Sequence, residues 1–197
     1  MSDFWIYFSS GLKHFCNLNA YHDVLFLLAL TVPYELKSWK RILILVSLLT
    51  AGHTLALMLS VFNVITIKVG IVAFIIPIII LITALYTIIS SGKSSKKDSI
   101  AFVAILTSFY GIVHGLGFSN YFNKVVTGKP TDKLLPLFEF ALGIELAQII
   151  IVIMALLVAY IVQTLFKFSK RDWILMVSAF TVGVIIPILI QNEIWYK

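Results

Sequence analysis

Histidine and acidic side chains inside apolar stretches are the groups of this sequence most able to carry chemistry. His114 lies in FYGIVHGLGF (109–118), with glycines on both sides of it. A titratable imidazole at membrane depth costs free energy and is usually retained for a function. Comparable groups in other apolar stretches are His53, Glu145 and the pair His22-Asp23. We therefore expect chemistry where these groups meet.

Imidazoles combined with carboxylates are typical ligands of zinc, nickel, cobalt and Fe(II), and geometry rather than composition selects among these metals. A metal site would serve uptake of the ion, or it would hold the water of an intramembrane hydrolase that attacks a lipid or peptide. Hydrolysis also needs a general base beside an open metal position. The residues alone leave both functions open.

Two absences narrow the chemistry further. The sequence has no glycine-rich phosphate-binding loop of the P-loop type, which disfavours ATP-driven transport by this chain alone. Its one cysteine, Cys16, can form neither an internal disulfide nor a cysteine-rich metal site.

The composition indicates the class of protein that must position these groups. Of the 197 residues, 60% are hydrophobic and 12% are charged, whereas a soluble domain has about 25% charged residues. Because so few charged residues cannot form a polar exterior, most of the protein surface must face lipid. The net charge of +6 comes from cations dispersed between apolar runs, which suits anionic lipid headgroups rather than nucleic acid. We predict an all-α, polytopic membrane protein.

Six apolar runs approach the roughly 20 residues that a spanning helix needs. We predict spans at about 18–36, 42–62, 69–90, 100–119, 135–166 and 173–190. Residues 1–17 are rich in aromatic side chains but too short to span, which is typical of an interfacial segment. His14, at the end of this segment, is most simply a solvated interfacial histidine. Pro33 is expected to kink or end the first span.

The distribution of basic residues predicts the orientation. Nine of the fifteen lysines and arginines fall in the connections after spans one, three and five, and six fall on the other side. The positive-inside rule therefore places both termini outside.

Depth and helical phase bring the candidate residues together. At about 1.5 Å rise per residue, His53 lies near the membrane middle, while His114 and Glu145 lie at the middle or in the outer half. Glu145 and Gln148 share one face of their helix. We expect Thr54 and Gln148 to support the ligands. For each histidine, a hydrogen bond between helices is the structural alternative. Gly111 and Gly115 are expected to form a helix-packing face.

Four segments of the chain together resemble the HupE/UreJ family of membrane proteins, which are regarded as nickel or cobalt permeases. The segments are AYHDVLFLLAL (20–30), TAGHTLALMLSVFN (50–63), YGIVHGLGFSNYF (110–122) and FALGIELAQ (140–148). The resemblance implies a bacterial inner-membrane protein that handles a divalent transition-metal ion, nickel or cobalt before zinc or iron. The metal ligands that it implies are His53, His114, Glu145, His22 and Asp23.

The chain departs from this family in its first motif, which reads His22-Asp23 where the family usually has Asp-His. On a regular helix the exchange rotates each side chain by about 100°. A membrane scaffold or assembly factor that has lost transport is therefore a third function to test. A partner membrane protein or a homo-oligomer is compatible with each function.

Overall fold

The structure is a computed structural model that describes residues 3–14, 21–91 and 98–196. These residues form helices joined by short connections, with no strand among them. Five of the helices are long and apolar enough to cross a membrane. The predicted all-α polytopic membrane fold is thereby confirmed. Cys16, the first residues of the predicted span 18–36 and the lysines at 93–97 lie outside the described residues.

Seven α-helices account for most of the described chain. They are α1 (Asp3–His14), α2 (Tyr21–Thr31), α3 (Trp39–Val61), α4 (Val69–Ser90), α5 (Asp98–Val125), α6 (Leu134–Leu165) and α7 (Lys170–Ile190). Helices α3 to α7 correspond to the last five predicted spans. Single 3₁₀ turns precede α3 and α6 and follow α7.

Local sequence explains several helix ends. The Ser169 hydroxyl accepts a hydrogen bond from the backbone N–H of Asp172, whose carboxylate accepts one from the Ser169 backbone N–H. This reciprocal cap begins α7. Helix α3 stops before Asn63, which adopts a left-handed conformation with φ of 57°. Asparagine tolerates that conformation better than most residues, so it suits a helix end.

The first predicted span, 18–36, contains a helix that is shorter than predicted. Helix α2 has 11 residues, or about 16 Å at 1.5 Å per residue, against a hydrocarbon core of about 30 Å. The helix ends at Thr31, two residues before Pro33, as expected from the inability of proline to continue a helix.

Helix α1 belongs to the helix bundle, and its predicted position at the membrane interface stays a prediction. It packs along α6, and each helix contributes a glycine to the crossing. A Cβ atom on Gly11 would overlap the carbonyl oxygen of Phe140, and one on Gly143 would overlap that of Phe8. Because neither glycine has a side chain, the two backbones touch.

Helices α3 and α5 form a second glycine-mediated contact. A Cβ atom on Gly52 would lie 2.7 Å from the carbonyl oxygen of Ser108, and one on Gly111 or Gly115 would overlap the backbone of α3 at Leu49 or His53. The predicted packing face of Gly111 and Gly115 is confirmed. This contact fixes the backbone of His53 directly beside the helix that carries His114.

Ion pairs join two connections at the same end of the bundle. The Glu35 carboxylate, between α2 and α3, lies 2.6 Å from Nζ of Lys37 and 2.9 Å from Nζ of Lys170, at the start of α7. The first and last basic connections therefore lie on one side, as the alternation of the spans requires.

Candidate metal centre

All four histidines of the chain meet around the imidazole of His114. The ring centroids of His14, His22 and His53 lie 5.4, 5.6 and 5.1 Å from that of His114. These residues come from α1, α2 and α3 and meet α5 at one point. Four costly polar groups on four helices thus form one cluster within the bundle.

Asp23 on α2 provides the carboxylate of the cluster. Its Oδ1 lies 3.0 Å from Nδ1 of His114 and 3.7 Å from Nε2 of His22, and its Oδ2 lies 3.5 Å from Nε2 of His14. The Asp23 side chain is 2% exposed. A carboxylate this deeply buried requires compensation by hydrogen bonds or positive charge.

Two aromatic residues hold Asp23 in place. The Tyr110 hydroxyl donates a hydrogen bond of 2.7 Å to Oδ1 of Asp23. The Tyr110 ring in turn stacks on Phe26, with centroids 3.8 Å apart and planes inclined by 4°. Since Phe26 lies three residues after Asp23 on α2, the stack and the hydrogen bond together fix α2 against α5.

The spacing of the donor atoms suits a single metal ion. One ligand atom each of His14, Asp23 and His114 lies within 4.8 Å of the others. Nε2 of His14 and Nε2 of His114 are 3.2 Å apart. Nitrogen or oxygen ligands at about 2.0–2.2 Å from one ion are themselves about 2.8–3.6 Å apart in tetrahedral or square geometry. The two histidine nitrogens are therefore at a chelating distance.

A cavity of about 10 Å³ adjoins Asp23 and His114, and its volume corresponds to about one water-sized sphere. Its polar lining residues are Asp23, His53, Tyr110, His114 and Gln148. Nε2 of His53 and Oδ2 of Asp23 are buried and have no hydrogen-bond partner within the part of the chain that the structure describes. These two acceptors fit a cation in the cavity.

With neutral imidazoles, Asp23 carries the one formal charge of the cavity lining. A divalent cation would compensate this charge and use the unpaired acceptors together. The donor set of imidazole nitrogens and one carboxylate is that of a borderline transition metal rather than magnesium or calcium, which prefer oxygen ligands.

A family model described as HupE / UreJ protein matches residues 1–192, which include α1 to α7. The chain belongs to the HupE/UreJ family. This match confirms the resemblance seen in the sequence. No curated protein and no solved structure matches the chain.

The site residues predicted from the sequence are distributed over two places. His22, Asp23, His53 and His114 are in the cluster, and Gln148 lines its cavity and accepts a hydrogen bond of 3.1 Å from Thr50. Glu145 is half-buried, and its Oε1 accepts a hydrogen bond of 2.8 Å from Ser47. Thr54 is half-buried and is not among the cavity-lining residues. The predicted roles of Glu145 and Thr54 stay predictions.

The inverted motif of this HupE/UreJ chain directs the carboxylate inward. Asp23 lies at the centre of the cluster, while the His22 side chain is 27% exposed at its edge. Both residues of the pair thus belong to the site, and the carboxylate is the more deeply buried of the two.

Sequence reasoning missed two residues of this HupE/UreJ site. His14 was expected to be solvated, but its side chain is 15% exposed and lies against His114. A signal was present in Gly11 and Gly143, which allow α1 to pack closely on α6. Tyr110 was also missed, although it lies four residues before His114 and therefore on the same helix face.

Proposed function

We propose that this protein is a permease for a divalent transition-metal ion, with nickel or cobalt as the preferred substrate. The observation that carries the proposal is the group of His14, Asp23 and His114, whose ligand atoms lie within 4.8 Å of one another. In this proposal His53 completes the ligand set from the opposite wall, and Gln148 supports it.

The size of the cavity favours transport over hydrolysis. A volume of about 10 Å³ accepts an ion or one water, whereas a hydrolase must also admit a peptide or lipid bond beside the metal. An ion held there has to shed its hydration shell. Imidazole and carboxylate ligands replace that shell, which is the means by which such a site distinguishes a transition metal from more abundant hard cations.

The exposure of the ligands suggests the direction in which the ion approaches. His22 and His14 have side chains that are 27% and 15% exposed, whereas Asp23 is 2% exposed. We infer that the ion first meets His22 and His14 and then passes to Asp23 and His114. His53, 2% exposed, lies at the deep end.

Two hydrogen bonds between α3 and α6 lie beside the cluster. Thr50 and Ser47 are one turn apart on α3, and they donate hydrogen bonds to Gln148 and Glu145 on α6. We propose Glu145 as a later stage of the ion path rather than a ligand of the first stage. A half-buried carboxylate beside a hydroxyl offers hard, weaker ligation, which favours release.

The experiment is metal binding by the detergent-purified protein, measured by calorimetry with nickel, cobalt and zinc. Asp23→Asn keeps the shape of the side chain and removes its charge, and it should lower affinity at least about ten-fold. Asp132→Asn, an exposed carboxylate outside the cluster, is the matched control and should bind as wild type does. Equal affinity in Asp23→Asn would contradict the proposed site.

Uptake into proteoliposomes then separates transport from the other functions. Metal-dependent uptake that Asp23→Asn abolishes supports the permease. Binding without uptake would favour an assembly role, and turnover of lipid or peptide by the pure protein would favour the hydrolase.

A further inference from the structure

A cleft of about 340 Å³ lies at the end of the bundle that carries Glu35 and Lys170. Its first wall is the connection between α2 and α3, with Tyr34, Glu35 and Lys37. Its second wall is formed by the last turns of α6, with Ala159, Tyr160 and Gln163. The cleft is separate from the cavity at the histidine cluster, since the two share no lining residue.

Cations outnumber acidic groups at the rim of this cleft, because Lys37 lines it and Lys170 lies beside it in an ion pair with Glu35. The Glu35 carboxylate pairs with Lys37 and Lys170, so that two cations share one anion. Arg41 lies near Tyr34: burial raises the pKa of the Tyr34 phenol, and the Arg41 guanidinium opposes that rise. The pairing with Glu35 also holds the ammonium groups in place. An anion with several oxygens can bind such cations without displacing the carboxylate.

The lining combines polar and apolar parts. Tyr34 and Tyr160 are aromatic residues with a hydroxyl, a type that concentrates where hydrocarbon meets headgroups. Leu156 and Ala159 continue the wall of α6 toward the membrane interior. Trp173 packs in the same small cluster as Ala159, and its buried indole N–H has no partner within the described residues. The cleft therefore has a charged part and an apolar part, which match the headgroup and the acyl chain of an amphiphilic ligand.

We propose that this cleft binds an anionic phospholipid. The phosphate accepts hydrogen bonds from the N–H groups of Lys37 and Lys170 that Glu35 does not use, and the first part of an acyl chain lies along Leu156 and Ala159. A lipid held there joins the α2–α3 connection to α6 and α7. It thereby supports the end of α2, the helix that carries Asp23.

The test is the melting temperature and native mass spectrum of the detergent-purified protein with phosphatidylglycerol, phosphatidylcholine or inorganic phosphate added. Phosphatidylglycerol should stabilise wild type and remain bound in the spectrum. Lys37→Ala should weaken that binding about five-fold, the effect of one basic residue at an anionic membrane surface. Glu35→Gln should strengthen it, because it removes the one negative charge of the cleft. Thr164→Trp, at an exposed position on the rim, should block it.

Lys40→Ala is the matched control, since Lys40 lies at the same end but rests against the Trp39 ring outside the cleft. It should bind as wild type does, and each variant is first melted without lipid to establish that it is folded. Three results would overturn the proposal. They are equal binding of phosphatidylcholine, equal stabilisation by inorganic phosphate, and an effect of Lys40→Ala as large as that of Lys37→Ala.

Discussion

Tyr110 on α5 donates a hydrogen bond of 2.7 Å to the buried carboxylate of Asp23 on α2. The bond uses Oδ1 and leaves Oδ2 directed toward Nε2 of His14, 3.5 Å away. In the proposed metal site, Tyr110 is therefore a positioning residue, since its hydrogen bond leaves the other carboxylate oxygen of Asp23 for the ion. The stack on Phe26 fixes the ring that carries the hydroxyl.

Tyr110→Phe keeps the aromatic stack and removes the hydrogen bond. We expect metal affinity to fall about ten-fold, as is typical when a partner of a metal ligand is lost. Calorimetry with nickel or cobalt measures this change. Tyr86→Phe, which removes a phenol hydroxyl on α4 away from the cluster, is the control. A Tyr110→Phe variant with unchanged affinity would show that Asp23 is held by its other neighbours alone.

His14→Gln tests the contribution of α1. The substitution removes an imidazole nitrogen 3.2 Å from His114 and retains a polar side chain of similar length. We expect at least a ten-fold loss of metal affinity and a melting temperature close to that of wild type, since α1 is held by its glycine contact with α6. Retained affinity would show that His14 is not a metal ligand.

Substitution of the close-contact glycines tests the helix packing. Gly111→Ala places a methyl group on the α3 backbone at Leu49, and overpacking of this kind costs about 1–3 kcal/mol. Gly183→Ala on α7, where no atom lies within 4 Å of the added Cβ, should be neutral or stabilising by about 0.5–1 kcal/mol. Thermal unfolding in detergent compares the two. Equal effects would contradict the packing described for α3 and α5.

The ion pairs of Glu35 should make the stability of the protein depend on pH. Hydrogen bonds from Lys37 and Lys170 lower the pKa of its carboxyl from 4.5 to about 2. Because the folded state lowers this pKa, the stabilisation is complete above the unfolded value and is lost as pH falls from 4.5 toward 2. Exposure limits it to less than about 1 kcal/mol. The difference in melting temperature between wild type and Glu35→Gln should therefore be present at neutral pH, shrink as pH falls through this range and weaken in high salt.

The orientation stays a prediction that cysteine labelling can decide. After replacement of Cys16, Lys129→Cys should react with an impermeant reagent in intact cells. Lys37→Cys should react only after the membrane is opened, because the basic connections are expected inside. The reverse labelling pattern would show that the orientation is opposite to the predicted one.

The long helices could be predicted because an apolar run of spanning length has few alternatives in a bilayer. The position of α1 could not, since its 12 residues mix aromatic and polar side chains and its packing depends on Gly143, far away in the sequence. Helical phase placed Glu145 and Gln148 on one face, but it could not show that Gln148 reaches the cavity while Glu145 bonds to Ser47. Such differences depend on side-chain reach and on the crossing of two helices.

The two glycine contacts have a consequence for motion. Backbones that touch without intervening side chains cannot slide past each other by changes of rotamer, so α3 with α5, and α1 with α6, each behave as a rigid pair. His53 and His114 belong to the pair of α3 and α5, and His14 and Gln148 belong to the pair of α1 and α6. The proposed ligands therefore come from both pairs. The pairs meet where the rings of Phe118 and Phe140 stack, with centroids 5.1 Å apart. We expect the two pairs to rock about this aromatic contact, which in the proposed metal site would separate His14 from His53 and His114 and release the ion.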